Sequence, residues 1–378
     1  MKTLLAPTPP MGWNSWNTFG KQINQEIVLQ TAQAMVDRGL KDAGYNYVVI
    51  DDCWQDRKRD AHGRLVPCPK AFPDGIAKLA DQIHDLEMKF GIYTCTGTHT
   101  CAQRPGSFGY EEIDAQSFAD WGVDFLKHDC CFKPVDIPAR TLYMRMGQAL
   151  RATGRPIVYS LCNWGKHDLM DWAPQTGAQM WRMGPDIYDC WESVSRIIFE
   201  LQDGLEQFAG PERWNDPDML VVGMNNQGHV ARGGCNWQEY KTHFAMWCML
   251  AAPMMIGCDV RSMDQDTRDL LCHHELLAIN QDPLGKQGYR VGKDEAQGEV
   301  WTKPLADGSI AVALCNRDDE HRRMINVAWE SVGLQVSRQC IVRDVWKGKV
   351  VDTCCGSFAT DVPPHGCAVL RLMPVIEK

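Results

Sequence analysis

The fold is decided around residues 45–52, which read YNYVVIDD. Residues 45–50 form a short apolar run rich in β-branched and aromatic side chains, and two carboxylates, Asp51 and Asp52, follow it directly. The segments on either side, 24–38 and 75–89, have the periodicity of amphipathic helices. A buried strand between two such helices is typical of a parallel sheet whose faces are covered by helices.

The same alternation continues along the first three quarters of the chain. Helical periodicity returns at 112–121 and 140–153. Eight strand candidates alternate with helices over about 280 residues. They lie at 11–13, 45–50, 90–94, 123–126, 157–161, 179–181, 219–222 and 249–256. This count and length predict an α/β fold, an eight-fold parallel (β/α)8 TIM barrel.

The pattern changes after residues 280–285, which read NQDPLG. Short alternating runs follow, separated by Gly, Asp and Asn turns. They lie at 299–301, 310–315, 324–329, 342–346 and 366–372. We therefore expect a catalytic barrel over 1–288 and a small C-terminal antiparallel β-sandwich domain over 289–378, packed closely because no low-complexity linker separates them.

Composition excludes several classes of function. The chain has 378 residues, of which 44% are hydrophobic and 23% charged, as in ordinary globular proteins. Its net charge is -9, and no Lys/Arg run is long enough to follow a phosphate backbone, so we expect no nucleic-acid partner. The longest uncharged stretch, 242–258, is interrupted by Pro253 and Gly257. It falls short of the roughly 20 apolar residues that a membrane-spanning helix needs, and it reads as a helix followed by a buried strand.

The N-terminus and the cysteines leave the compartment open. The first ten residues lack the apolar run of a signal peptide, so we expect a cytoplasmic protein, or a secreted or periplasmic one whose leader has been removed. The 17 Cys are too dilute for a disulfide scaffold and include no CxxC pair with zinc spacing. Phosphate loops, a nucleophile elbow and His-x-His are absent from the sequence, so we expect no cofactor and no metal. Whether the chain forms a homo-oligomer stays open.

Polar side chains recur at the C-terminal ends of the strand candidates. They are Asp51-Asp52, Lys127 with Asp129, Cys162-Asn163, Arg182 with Asp186, and Asp216 with Asp218. The C-terminal ends of barrel strands converge on one face, where active sites lie. These side chains should therefore share one pocket.

Two carboxylates of this group indicate a hydrolytic site. Side chains alternate along a strand, so Lys127 and Asp129 should point the same way, and the cation should lower the pKa of Asp129 and keep it ionised. A solvated salt bridge at a strand end is an equal alternative for this pair. Gly184 and Pro185 can turn Asp186 back over the barrel mouth. One carboxylate held ionised beside another that carries a proton is the minimal equipment of a glycosidase.

Several motifs, in the same order, carry a family resemblance over nearly the whole chain. They read PMGWNSW at 10–16, IDDCW at 50–54, RPGS at 104–107, KHD at 127–129, WNDPDM at 214–219, AP at 252–253 and NQDPLG at 280–285. With these motifs the sequence resembles glycoside hydrolase family 27, the family of α-galactosidases and α-N-acetylgalactosaminidases. The resemblance implies a retaining α-galactosidase that acts on a carbohydrate substrate without a cofactor.

The resemblance also implies roles for single residues. Asp129 would be the nucleophile, and Asp186 the acid that later serves as base. The implied substrate-binding residues are Trp16, Asp51, Asp52, Tyr93, Lys127, Cys162, Asn163, Arg182 and Asp216. Cys101 and Cys131 match a pair that is disulfide-bonded in relatives.

Among the binding residues, the implied contacts divide the sugar between two walls. Asp51 and Asp52 would hold the 4- and 6-hydroxyls, and Lys127 the side of the 3- and 4-hydroxyls. Arg182 would reach the region of the 2-hydroxyl, while Trp16 would form an apolar wall. A charged acceptor is among the stronger hydrogen-bond partners of a hydroxyl, so an acidic pair can single out the axial 4-hydroxyl of galactose.

Three alternatives stay open. Many relatives carry Glu at the position of Asn163, and N-acetylgalactosaminidase relatives carry a smaller residue there, so we expect a free 2-hydroxyl without excluding an acetamido group. The short Asp51 and Asp52 leave room for C6, which argues against a β-L-arabinopyranosidase. A catalytically silent sugar-binding protein is the alternative from another class. Trp164 either shapes a subsite or packs a loop.

Overall fold

The computed structural model describes residues 4–295 and 297–375. Its first part is built on eight strands whose residues are almost all buried, as expected when helices cover a parallel sheet. These strands are β1 Met11–Asn14, β2 Tyr47–Val49, β3 Lys89–Cys95, β4 Phe125–Asp129, β5 Val158–Cys162, β6 Met180–Arg182, β7 Trp214–Asp216 and β8 Met254–Ile256. They pair in the order β7-β6-β5-β4-β3-β2-β1-β8, and every pairing is parallel.

The two edges of this sheet meet through the segment that follows β7. Leu220 pairs with Ile256 of β8 in an isolated parallel bridge, and its backbone N–H donates to the carbonyl of Met255 at 2.7 Å. On its other side β8 pairs with β1. The sheet therefore curls into the predicted TIM-like barrel, with the C-terminal ends of its strands around one opening.

Helices separate the strands along the chain. They are α1 Trp16–Phe19, α2 Gln25–Asp37, α3 Ile76–Asp85, α4 Glu111–Asp120, α5 Ala139–Ala152, α6 Leu169–Trp172, α7 Trp191–Leu201, α8 Trp237–Met249, α9 Gln265–Leu271 and α10 His274–Asn280. The helices α2, α8, α9 and α10 each start after a residue whose side chain accepts a backbone N–H of the first turn. Asn24 accepts the backbone N–H of Ile27 before α2, and Asn236 and Glu239 form a reciprocal capping box at α8. Over the described residues, no helix is long and apolar enough to cross a membrane.

The seventh strand lies earlier in the chain than predicted. Hydrophobic patterning favoured 219–222, whereas β7 is Trp214–Asp216. The apolar run is buried, but the chain turns out of the strand at Asp218, whose φ of +101° is left-handed backbone. A strand of three residues shows little hydrophobic periodicity, so the sequence pattern favours the longer apolar run beside it. Similarly, only Met254–Ile256 of the predicted strand 249–256 is extended.

The second part of the chain is the predicted antiparallel β domain. Its strands are β9 Tyr289–Lys293, β10 Gly298–Pro304, β11 Ile310–Asn316, β12 Arg323–Ala328, β13 Cys340–Asp344, β14 Lys349–Cys354, β15 Ser357–Val362 and β16 Cys367–Pro374. Six of them form the sheet β14-β13-β16-β11-β10-β9, and β12 pairs with β15. The sequence analysis missed β9, β14 and β15, whose residues are largely exposed or half-buried and therefore show little apolar patterning. The division after residue 288 stays a prediction.

The two parts pack against each other through α8, which is buried along most of its length. Thr242 donates to the carbonyl of His365, and the His365 ring lies 2.7 Å from Glu239. Lys303 of β10 is fully buried and donates to the carbonyls of Cys248 and Ile279. The β domain thus covers one side of the barrel and supports the helix that precedes β8.

Candidate active site

A pocket of about 250 Å³ opens at the C-terminal ends of the barrel strands. This volume is just below the roughly 300–1,000 Å³ typical of small-molecule sites, so it suits one small ligand. Its lining residues are Trp16, Asn17, Asp51, Asp52, Tyr93, Cys101, Lys127, Asp129, Cys162, Trp164, Arg182, Asp186, Tyr188, Asp218, Met219, His229, Val230 and Arg232. Side chains from the ends of several strands therefore meet in one place.

Asp129 occupies the end of β4 and is held by two donors. The hydroxyl of Tyr93, on β3, donates to its Oδ2 at 2.9 Å, and the backbone N–H of Cys130 donates to its Oδ1 at 2.8 Å. The carboxylate is almost wholly buried. The neighbouring strand side chain His128 points away and lies 2.7 Å from the hydroxyl of Tyr159. Asp129 is therefore oriented by fixed neighbours before any ligand binds.

The electrostatic expectation for Asp129 was wrong in sign. Burial raises the pKa of Asp129 from its ordinary value to about 6, although the charge of Lys127 acts to lower it. The ammonium of Lys127 bonds Asp51 instead, with Nζ 2.7 Å from Oδ2. Removing water from a carboxylate disfavours its charged form, and here that effect outweighs a cation that is already paired elsewhere.

Asp51 and Asp52 form an acidic wall directly after β2. Besides Lys127, Asp51 accepts the side-chain amide of Asn14 at 2.9 Å. Asp52 accepts the hydroxyl of Thr100 at 2.9 Å and the backbone N–H of Ala102 at 3.0 Å. Burial raises the pKa of Asp52, and these hydrogen bonds oppose the shift. Both carboxylates are thus fixed in the wall by partners from β1, from β4 and from the loop after β3.

Arg182 joins two carboxylates on the opposite side of the pocket. Its Nη2 lies 2.8 Å from Oδ1 of Asp186 and 2.5 Å from Oδ2 of Asp218. The side chain of Asp186 is 61% exposed, whereas that of Asp218 is 6% exposed. Partial desolvation at the pocket mouth would raise the pKa of Asp186, but the charge of Arg182 outweighs it and holds that pKa below its ordinary value. Burial raises the pKa of Asp218 to about 6.

Most of the predicted binding residues line the pocket, but two do not. Trp16, Asp51, Asp52, Tyr93, Lys127, Cys162 and Arg182 lie on its surface together with Asp129 and Asp186. Asn163 is buried in its own loop, where its amide donates to the carbonyl of Lys166 at 2.7 Å. Asp216 lines a small void of about 30 Å³ that adjoins the pocket behind Lys127, Cys162 and Arg182, and it accepts the backbone N–H of Asp218. Successive strand residues face opposite sides, so Cys162 faces the pocket and Asn163 turns away.

Asp218 is the acidic residue of the pocket that the sequence analysis did not name as a binding candidate. Its left-handed φ turns the side chain back to Arg182, and the backbone N–H groups of Ile187 and Met219 donate to its carboxylate at 2.8 and 2.7 Å. The sequence analysis identified both Asp216 and Asp218 among the polar residues at strand ends. Choosing between them required the backbone angle, which the sequence pattern does not indicate.

The pocket rim is built from three loops. Residues 225–236, the rim loop, contribute His229, Val230 and Arg232. The ring of His229 lies edge-on to that of Trp16, with centroids 4.8 Å apart. Tyr188 follows Asp186 on the loop after β6, and Trp164 lies on the loop after β5.

A disulfide links Cys101 to Cys131 beside Asp129, as the resemblance implied. Cys101 lines the pocket, and the loop that carries it supplies two donors to Asp52, the hydroxyl of Thr100 and the backbone N–H of Ala102. Cys101, Asp129 and Cys131 also have ligand atoms near enough for a metal ion. Because the two sulfurs are bonded to each other, this group offers no thiolate ligands.

Taken together, the geometry presents two carboxylates with contrasting surroundings. Asp129 is buried and tightly hydrogen-bonded at the pocket floor, and Asp186 is open to solvent at the mouth. Between them the pocket offers hydroxyl-binding groups of both charges, Asp51 and Asp52 on one side and Arg182 on the other. Such an arrangement can bind a small polyol, attack it from one side and exchange a proton on the other.

Comparison with known proteins identifies similar sequences over almost the whole chain. Residues 8–282 match the family model described as alpha galactosidase A, and residues 295–372 match that of the alpha galactosidase C-terminal beta sandwich domain. The alpha-galactosidase of Cyamopsis tetragonoloba is 43% identical over 371 residues, which cover 98% of this chain and 87% of that protein.

Solved structures agree with this similarity. Alpha-galactosidase I from Mortierella vinacea superposes with a TM-score of 0.92 at 36% identity and covers 98% of both chains. The alpha-galactosidase from Saccharomyces cerevisiae with raffinose superposes with a TM-score of 0.89 at 31% identity, again over 98% of both chains. The similarity therefore extends over the barrel and the β domain alike.

Proposed function

The chain belongs to glycoside hydrolase family 27, the α-galactosidase family, and from this premise we propose that it removes terminal α-linked galactose from galactosides by a retaining double displacement. The observation that carries the proposal is the meeting of Asp129 and Asp186 in one pocket of about 250 Å³, one buried at its floor and the other exposed at its mouth. A retaining glycosidase needs one carboxylate to form a covalent bond and a second to move a proton.

In the first step, a carboxylate oxygen of Asp129 attacks the anomeric carbon. The bond from that carbon to the leaving oxygen breaks as Asp186 gives its proton to the oxygen. In the second step, Asp186 takes a proton from water, and the water oxygen attacks the same carbon and releases Asp129. Two displacements at one carbon restore the original configuration, and Asp186 ends protonated again.

The remaining pocket residues position the sugar. Asp51 and Asp52 accept hydrogen bonds from the 4- and 6-hydroxyls, and their own partners Asn14, Thr100 and Lys127 prevent them from turning away. Arg182 donates toward the 2-hydroxyl, and Trp16 covers an apolar face of the ring. A site built around hydroxyl hydrogen bonds rejects sugars that lack them, because its buried polar groups would then be unpaired.

The pocket and the composition also bear on the partner and the compartment. Carbohydrate is the substrate class that the pocket and the family support, and the net charge of -9 argues against nucleic acid. Beside the one disulfide, 15 cysteines are unpaired in the structure. This proportion favours a reducing compartment such as the cytoplasm, where Cys101 and Cys131 would be the exception.

A comparison of three substrates tests the proposal. The p-nitrophenyl glycosides of α-galactose, α-N-acetylgalactosamine and β-L-arabinopyranose are assayed side by side, and the anomer released first is followed by NMR. We expect the α-galactoside to give the highest kcat/KM, with α-galactose as the first product. A higher kcat/KM on either of the other two glycosides would contradict the assignment of galactose as the substrate sugar. Release of β-galactose as the first product would contradict the double displacement. Inactivity on all three glycosides would leave only a sugar-binding role.

A further inference from the structure

We propose that His365, in the turn between β15 and β16 of the β domain, is a positioning residue for the sugar pocket. It acts through Glu239 of α8, which holds the end of the rim loop. This inference rests on the proposed function and gives the β domain a part in substrate binding. In a barrel, the helix that follows a strand begins on the face where the active site lies, so a contact at the start of α8 is close to the pocket rim.

Contacts to two helices of the barrel fix the ring of His365. Its Nδ1 lies 2.7 Å from Oε1 of Glu239, and the ring stacks on that of Trp191 at the start of α7, with centroids 4.4 Å apart. The hydroxyl of Thr242, one turn further along α8, donates to the backbone carbonyl of His365 at 2.7 Å. The other ring nitrogen, Nε2, lies 2.8 Å from Oδ1 of the exposed Asp319. The turn therefore joins the first turns of α7 and α8.

Glu239 connects this turn to the rim loop. Its Oε1 faces His365, whereas its Oε2 accepts the backbone N–H of Asn236, the last residue of the rim loop, at 2.8 Å. The side chain of Asn236 accepts the backbone N–H of Glu239 in return at 3.0 Å. The carboxylate is buried, and a buried charged group is costly unless its hydrogen bonds are made. Removing the His365 ring therefore takes away the partner of one buried oxygen and loosens this cap.

The rest of the rim loop is anchored on the same turn of α8. Asp189 accepts the backbone N–H of Asn226 at 2.7 Å and the hydroxyl of Tyr240 at 2.9 Å. Tyr240 directly follows Glu239, and its hydroxyl also accepts the backbone N–H of Asn225 at 2.8 Å. Both ends of the rim loop therefore depend on the position of the first turn of α8.

The rim loop in turn supports the apolar wall of the pocket. The ring of His229 lies edge-on to that of Trp16, and its backbone N–H donates to the carbonyl of Asn17 at 3.2 Å. Trp16 is the residue that covers an apolar face of the sugar in the proposed function. A site that is not held in advance loses more entropy when its ligand arrives. Neither reacting carboxylate lies on the rim loop, so sugar binding should suffer more than the chemical steps.

Replacing His365 tests the inference through sugar binding. In His365→Ala we expect KM for p-nitrophenyl α-galactoside and the inhibition constant of galactose each to rise roughly fivefold, with kcat changed less than about twofold. His365→Asn should restore both constants, because its amide can donate to Glu239 from the position of Nδ1 and because Asn tolerates the left-handed φ of +53°. His365→Gln, whose longer amide matches Nε2 and reaches Asp319 instead, should behave as the Ala variant.

Hydrogen exchange provides a readout that does not depend on activity. The backbone amides of 225–236 should exchange faster in His365→Ala and His365→Gln than in the unmodified protein, and at the original rate in His365→Asn. A general loss of stability would instead speed exchange throughout the chain and would not distinguish the Asn variant from the Gln variant.

The matched control is Arg343→Gln, which breaks a different contact between the two parts of the chain. Arg343 on β13 donates twice to Glu275 on α10, at 2.8 Å each, and none of 274–280 lines the pocket. Its KM, inhibition constant and exchange over 225–236 should equal those of the unmodified protein. Equal losses in Arg343→Gln, or unchanged constants in His365→Ala and His365→Gln, would overturn the inference and leave the proposed function intact. Failure of the unmodified protein to hydrolyse the galactoside would instead overturn the proposed function.

Discussion

The guanidinium Nη2 of Arg182 lies 2.8 Å from Oδ1 of Asp186, so the proposed acid is ion-paired with the residue four positions before it. An acid must carry a proton before it can give one away, and a neighbouring cation opposes protonation. Asp218 counters this effect, because its carboxylate holds the same nitrogen at 2.5 Å. The fraction of Asp186 that carries a proton therefore depends on how Arg182 is shared between the two carboxylates.

Asp218→Asn should reduce the fraction of Asp186 that carries a proton. Removing a negative charge beside Arg182 leaves that cation to act on Asp186 alone, so the pKa of Asp186 should fall further and the basic limb of the pH profile should move to lower pH. We expect kcat/KM at pH 7 to drop more on melibiose, whose leaving group needs a proton, than on α-galactosyl fluoride. An unchanged basic limb would mean that Asp218 acts only by holding Arg182 in position.

The acidic limb of the pH profile should report Asp129. The nucleophile must be ionised, and burial raises its pKa to about 6, so activity should be lost as the pH falls through 6. With α-galactosyl fluoride, kcat/KM should rise with pH and reach a plateau above this value. Asp186→Asn should keep the same midpoint on this substrate. A midpoint near pH 4 in the unmodified protein would show that the charge of Lys127 offsets the effect of burial on the pKa of Asp129.

Asp129→Asn should stop turnover and stabilise the fold. Loss of the nucleophile should lower kcat roughly a thousandfold or more. Because the folded-state pKa of about 6 is above the ordinary value, the ionised carboxylate destabilises the native state, and this cost grows as the pH rises from about 4 to 6.

At pH 7 the asparagine variant should therefore unfold at higher urea concentration, with a gain of about 1–3 kcal/mol in the free energy of unfolding. The gain should vanish near pH 4, where the unmodified carboxyl is also neutral. A variant that is less stable at pH 7 would show that the hydrogen bonds from Tyr93 and Cys130 outweigh the cost of burial.

Breaking the disulfide should weaken sugar binding more than it slows the chemical step. The loop held by Cys101 supplies the hydroxyl of Thr100 and the N–H of Ala102 to Asp52. In the double variant Cys101→Ser, Cys131→Ser we expect a higher KM, a smaller change in kcat, and a loss of about 2–4 kcal/mol in stability. Cys355→Ser, at an exposed and unpaired cysteine, serves as control. An unchanged KM would show that Asp52 is held without the crosslink.

Much of the architecture followed from local patterns in the sequence. Apolar runs ending in polar residues, separated by amphipathic helices, predicted both the barrel and the convergence of Asp51, Asp129 and Arg182 on one pocket. This works because parallel strands in a barrel all end on the same face, so position along the chain determines position in space. Where the pattern was weak, as in the three-residue β7, the prediction moved to the apolar run beside it.

Tertiary structure decided which side chains enter the pocket and what charge they favour. Asp218 replaces Asp216 because of a left-handed backbone angle, and Asn163 turns away because its neighbour Cys162 takes the inward position on β5. The pKa of Asp129 rises where the sequence predicted a fall, since depth of burial and the pairing of Lys127 with Asp51 depend on residues far apart in the chain. Strand spacing determines where the residues gather, whereas backbone turns and exclusion of water determine what each of them can do.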